Sequence, residues 1–247
     1  CHRNGKGSMT PNRDSLLAEM GITPRWRLRN EEPVGELSQG DAVATPSPVE
    51  SSPDLGTQWL VLAKQVADCR ACVLCKQRTQ AVLGVGDRNP DWLFVGEGPG
   101  AEEDVKGEPF VGQAGKLLDA MLAAFELRRG EKVYIANAVK CRPPGNRTPG
   151  SDELAACHPF LEKQIELLRP RIIVVLGRPA AATVLGGDRA ISALRGHRHE
   201  YRGIPVVVTY HPAYLLRNLP DKAKAWEDLL FARRILAEEP GRERQIP

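Results

Sequence analysis

No stretch of this sequence stays apolar for longer than a strand needs, which excludes a transmembrane helix. No secretory signal opens it, so the clustered cysteines point to metal or redox chemistry in the cytosol rather than to disulfides. No charge dominates either. Lys and Arg number 34 against 31 Asp and Glu, a net charge of +3, so there is no global basic field and any grip on nucleic acid must come from a local patch. The phosphate-cradling GxxxxGK[ST] pattern is missing, and no segment repeats another. What is left is a chain of 247 residues, enough for one sizeable core and a tail.

What the sequence does have is concentrated between Gly96 and Leu118, GEGPGAEEDVKGEPFVGQAGKLL. A short apolar run, Trp92 to Val95, predicts a strand before it. Leu117, Leu118, Met121 and Leu122 predict a helix starting near Gly115. The loop between holds Gly96, Gly98, Gly100, Gly107 and Gly112, where a backbone can pass close to a ligand. Glu97, Glu102, Glu103 and Asp104 share it, with Phe110 behind them, and these carboxylates argue against a phosphate cradle. Open α/β sheets place ligands at loops of this kind, beyond the C-terminal ends of parallel strands.

Met9 is the expected natural start, with CHRNGKGS as upstream sequence. Residues 1–57 read as a disordered tail and linker, rich in Pro, Ser, Gly and acid over 31–57, with a short helix expected near 13–21. A helix from Trp59 then leads to Cys69. Further strands are expected at Glu131 to Ala138, Arg171 to Gly177 and Ile204 to Tyr210. Helices follow at Ser151 to Leu168, with Ser151 as its cap, at Pro179 to Leu185, and at 221–237. The alternation predicts an α/β domain over 58–240: three layers, α/β/α, around a central, mainly four-stranded parallel sheet, with 241–247 as a C-terminal tail.

The cysteines have a spacing of their own. Cys69-x2-Cys72-x2-Cys75 lies in CRACVLCKQRT, and Cys141 and Cys157 lie far downstream. One CxxC pair and two distant cysteines can enclose a tetrahedral centre, and thiolates select zinc or an iron–sulfur cluster without the spacing deciding between them. One of the five is surplus if four bind.

Taken in order, CRAC followed by Leu74, Arg78 and Thr79, then GEGPGAEED with GEPFVGQAG, NAVKCRPPGNRTP, a cysteine sixteen residues after Cys141, and TYHPAYLLR resemble the family 4 uracil-DNA glycosylases, the iron–sulfur branch of that superfamily. The resemblance runs from Cys69 to the closing helix. It implies a uracil-DNA glycosylase-like fold and hydrolysis of the bond between uracil and deoxyribose in DNA. It implies a structural [4Fe-4S] cluster on Cys69, Cys72, Cys141 and Cys157, with Cys75 as the surplus thiol; a set using Cys75 in place of Cys69 is the alternative. It also implies a cytoplasmic monomer that acts on uracil-containing DNA and has no membrane partner.

By the same resemblance, Phe110 stacks on the flipped uracil, Asn137 reads its polar edge, and Gly96 and Gly98 line the base pocket. His211 hydrogen-bonds the developing uracil anion. The classical branch carries an aspartate where Gly98 stands, and family 4 members lack it. The carboxylate that stabilises the oxocarbenium ion or orients water is therefore Glu97 or Glu103, with Glu97 favoured for its place at the strand end. Arg195, Arg198 and Arg217 are expected on DNA phosphates, and Leu215 or Leu216 as a wedge. Arg142 and Arg147 are weaker phosphate candidates. Four rival readings are a non-cutting DNA-binding member, a self-crosslinking branch, a broader-specificity family 5 glycosylase and a zinc-bound interaction module. The first would lose Asn137 or His211, the second inserts a basic loop after the asparagine motif, the third lacks the acidic GEGPG, and iron analysis separates the fourth.

Overall fold

The computed structural model describes residues 54–238. Residues 1–53 of the predicted tail and linker, with the helix near 13–21 and the Met9 start, and the 241–247 tail lie outside them.

The elements follow from where the apolar residues fall. The helix α1, Leu55–Asp68, begins earlier than expected, inside the segment read as linker. Asp54 caps it: its carboxylate accepts from the Thr57 backbone N–H at 3.0 Å and from the Thr57 hydroxyl at 2.7 Å. A single 3-10 turn over Val73–Lys76 carries the chain to a two-residue strand β1, Val85–Gly86. Then come β2 (Trp92–Gly96), α2 (Ala101–Lys106), α3 (Gln113–Ala123), β3 (Val133–Asn137) and α4 (Ser151–Leu168). The chain ends with β4 (Ile172–Leu176), α5 (Arg178–Leu185), α6 (Ile191–Leu194), β5 (His199–Tyr201), β6 (Ile204–Thr209), α7 (Pro212–Leu215) and α8 (Asp221–Glu238). The glycine-rich loop thus contains a helical turn, α2, which its glycines concealed. The cap of α4 is Gly150 rather than Ser151, with the Glu153 carboxylate accepting the Gly150 N–H at 2.8 Å.

The sheet order is β1-β3-β2-β4-β6-β5. The four inner strands are parallel, as expected, and β1 and β5 add short antiparallel edges. Every residue of the inner strands is buried, because helices cover both faces. Alternation sorts them. Leu93, Val95, Ile173 and Val175 face α1, α4 and α5 through Trp59, Leu161 and Ala180. Trp92, Phe94, Ile172 and Val174 face α3 and α8 through Leu118, Leu122 and Leu229. This gives the three layers, and the register Gly96↔Asn137 and Leu176↔Thr209 ends all four parallel strands on one rim.

Candidate active site

A cavity of about 860 Å³ opens at that rim. Each inner strand delivers residues to it: Glu97 and Gly98 after β2, Asn137 from the end of β3, Gly177 after β4, and His211 after β6. Phe110, Glu103 and Arg217 complete the side chains expected at the site.

Gly98 lines the cavity, whereas Gly96, expected there too, is outside the lining and lies against Asn137 and Phe110. A Cβ on Gly96 would lie 2.5 Å from both Asn137 Oδ1 and Phe110 Cζ, so only glycine lets the amide and the ring close over the strand end. Asn137 is 2% exposed, and its Oδ1 has no hydrogen-bond partner. A buried amide oxygen left unpaired costs of order 1–3 kcal/mol, a cost that a ligand donor removes. Phe110 is buried and held at φ 55°, a left-handed conformation that costs a non-glycine residue of order 1–3 kcal/mol. Its ring stacks on His211 at 5.4 Å and 27°.

His211 is fixed in tautomer by its own helix. The Ala213 backbone N–H donates to Nδ1 at 3.2 Å, so in the neutral ring the proton sits on Nε2. One side of the ring remains open to the cavity, yet close packing desolvates it. That desolvation, with the Arg217 charge adding, pushes its pKa down to about 4 against a smaller opposing pull from Glu103. At neutral pH it is an uncharged N–H donor.

The two glutamates part company. Glu103 is spent on the loop: its Oε2 accepts from Gly100 N at 3.1 Å, and its Oε1 from Val111 N at 2.9 Å and Gly112 N at 3.2 Å. It anchors the backbone around Phe110. The Glu97 carboxyl lines the cavity, its pKa raised by burial and partly offset by a hydrogen bond from Thr148. Both line the cavity, but Glu103 carries three backbone hydrogen bonds and Glu97 one from a side chain.

The expected DNA contacts separate as well. Arg217 is exposed at the cavity and forms no ion pair among the described residues. Arg195 is a correction: its guanidinium meets the buried Asp228 at 3.0 Å and donates to the Lys224 carbonyl at 2.7 Å, which ties α6 to α8. Arg198 is exposed but outside the cavity lining. Leu215 is a second correction. It is 1% exposed, packed inward from α7, while its neighbour Leu216, the other residue expected as a wedge, is 41% exposed. Arg147 is committed to Glu153 through two bonds of 2.6 and 2.7 Å, shaping the loop that offers Thr148 to Glu97. Arg142 donates to Asn146 Oδ1 at 2.7 Å.

The cysteines converge at the back of the same loops. Cys72, Cys141 and Cys157 pack in one cluster with Leu74 and Val139. Arg78 joins the CxxC segment to Cys141: one guanidinium nitrogen donates to Cys141 Sγ at 2.9 Å, the other to the Cys69 carbonyl at 3.2 Å. Backbone N–H groups of Lys140 and Ala71 donate to Cys157 Sγ at 3.2 Å and Cys69 Sγ at 3.4 Å. Donors aimed at sulfur suit thiolates bound to a metal. Burial raises the Cys157 thiol to about 11, against the opposing pull of Lys140, so a cation is what would keep it ionised. Among the described residues no group of three or more His, Cys, Asp or Glu side chains stands drawn together as a metal site. Cys75 lies outside the cluster, in a surface hollow of about 550 Å³ that it lines with Cys72.

This geometry has a counterpart among known sequences. Residues 83–230 match the family model of the Uracil DNA glycosylase superfamily. The chain belongs to that superfamily. Within it, a type-4 uracil-DNA glycosylase of Thermotoga maritima is 44% identical over 183 residues, 72% of this chain and 95% of that one. One from Archaeoglobus fulgidus is 45% identical over 163 residues, 63% of this chain and 81% of its own. A type-5 uracil-DNA glycosylase of Pyrobaculum aerophilum is 32% identical over 149 residues, 54% of this chain and 66% of its own. The motif resemblance to the type-4 branch of the superfamily is thereby borne out over most of the chain.

Thr148 and Arg129 escaped the sequence reading. Thr148 lies inside the NRTP segment, where Glu153, three residues after Gly150, was a readable sign that the loop is pinned. Arg129 had no sign in the sequence.

Proposed function

We propose that this protein hydrolyses the N-glycosidic bond of deoxyuridine in DNA, releasing uracil and leaving an abasic site. The observation that carries the reading is the unpaired, buried Asn137 Oδ1 between Phe110 and Gly96, an acceptor aimed at the imide N–H of a uracil ring.

The target nucleotide leaves the stack, since its bond is unreachable within it. Phe110 covers one face of the base and Asn137 reads its edge. As the C1′–N1 bond breaks, its electron pair moves to the base and positive charge grows on the sugar. His211, neutral and carrying its proton on Nε2, donates a hydrogen bond to the developing anion and does not protonate it. The ionised Glu97 faces the cationic sugar and orients water for attack on C1′. Arg217 holds a neighbouring phosphate. Cys69, Cys72, Cys141 and Cys157 would hold a [4Fe-4S] cluster, which would supply a structural cross-link between the loop after α1, the loop after β3 and α4. The protein acts as a monomer in the cytosol.

The test is base release from a labelled oligonucleotide with one uracil, followed by alkali cleavage, beside a matched thymine control. The protein is first checked for iron and visible absorbance. Cleavage only at uracil is the expected result; none, from protein with a full complement of iron, would leave a damaged-DNA-binding member as the reading.

A further inference from the structure

Arg129 and its neighbour Arg128 sit on the same turn between α3 and β3 and behave differently. Arg128 is a solvated surface residue, 79% exposed, paired with Glu131. Arg129 is folded back, 22% exposed, and every guanidinium nitrogen is used. Its Nε donates to Asp119 Oδ1 on α3 at 2.6 Å, its Nη1 to the Pro109 carbonyl at 2.7 Å, and its Nη2 to the Phe110 carbonyl. Pro109 and Phe110 are both buried, so their carbonyls depend on this partner. The Phe110 carbonyl also lies flush on α3: a Cβ on Gly115 would sit 1.8 Å from its oxygen.

We infer that Arg129, outside the cavity, is a positioning residue that presets the base-stacking ring by clamping the two peptide carbonyls of the left-handed Pro109–Phe110 turn. The inference rests on the uracil-excision reading above. Phe110 at φ 55° has a competing extended conformation that would swing its ring off Gly96 and His211. Glu103 secures the N–H groups after the ring, at Val111 and Gly112, and Arg129 secures the carbonyls before and at it. The planar fork holds both carbonyls and Asp119 in one fixed geometry, whereas a lysine ammonium keeps the charge without that geometry.

A double-mutant cycle on single-turnover uracil release tests this, with Arg129→Ala and Arg129→Lys made in the wild-type and in the Phe110→Ala background. In the first background Arg129→Ala is expected to lose roughly ten- to a hundredfold in rate, and Arg129→Lys less. In the second, where no ring is left to position, each is expected to lose less than twofold. Hydrogen exchange over residues 108–113 is measured alongside on the same iron-loaded proteins and should quicken in Arg129→Ala. Equal losses in both backgrounds, or unchanged rate and unchanged exchange, would overturn the role. Wild-type protein that releases no uracil would sink the excision reading instead, and exchange over 108–113 would then decide the clamp by itself.

Discussion

Two side chains at the site have ionisation set by burial, and they predict different pH behaviour. His211 is held neutral, its pKa down near 4 against an ordinary value of 6.5, so from neutral pH down to about 5 its donor N–H does not change. Glu97 is displaced upward by burial, and in the proposed role it would work only as the carboxylate. Excision is therefore expected to fall as pH drops through a value above the ordinary glutamate's 4.5, and the group responsible is Glu97. In Glu97→Gln the rate should be lower on the neutral plateau and the acid limb should vanish. His211→Ala should lose about 10²–10³-fold at pH 7 and keep the limb. A pH–rate profile of kcat/KM for the three proteins checks both; a limb that survives in Glu97→Gln assigns it elsewhere. The same histidine bears on stability, with the sign worked from its lowered folded pKa. Below about 6.5 the unfolded chain takes up the proton that the fold refuses, so this contribution to stability fades as pH falls from there toward 4.

The elements differ in how legible they were. The four parallel strands announced themselves as apolar runs because both of their faces are covered. The edges β1 and β5, of two and three residues, carry too few positions for any periodicity. The six-residue α2 was hidden by flanking glycines, although the acids crowding its first turn are what a helix N-terminus favours. The proposed cysteine ligands come from three places that share little sequence neighbourhood: the loop after α1, the loop after β3, and α4. A bound cluster would tie them together, so Cys141→Ala is expected to lose iron and visible absorbance and to lower Tm, measured by absorbance spectra, iron analysis and thermal melting. A stable variant that keeps its colour would remove Cys141 from the ligand set.

At the scale of the whole molecule, a net charge of +3 leaves DNA attraction to a few placed cations. Arg217 and Arg195 both looked like phosphate ligands, and the fold gives them opposite duties. Arg217→Ala is expected to weaken binding to DNA of any sequence and to lower the slope of log K against log salt by about one, with Tm unchanged. Arg195→Ala strands the buried Asp228 and is expected to cost about 3–5 kcal/mol of stability while leaving that slope alone. Salt titrations of binding and denaturant melts on both variants separate the two roles; a changed slope in Arg195→Ala would return it to the DNA interface.

From the sequence alone came the three layers and the four parallel strands, because periodicity is a local property written along the chain, while Asn137, Phe110, His211 and the cysteine set were marked by the order of motifs shared with the family. The tertiary structure alone decided how each charge is used. Glu97 and Glu103 are alike in sequence, yet three backbone N–H groups claim one and burial leaves the other facing the cavity. Leu215 and Leu216 are adjacent and identical, and one is in the core. Arg129 reaches Phe110 across nineteen residues. Hydrogen-bond partners and burial arise from residues far apart in the chain, so they exist only once the sheet and its helices have closed around the site.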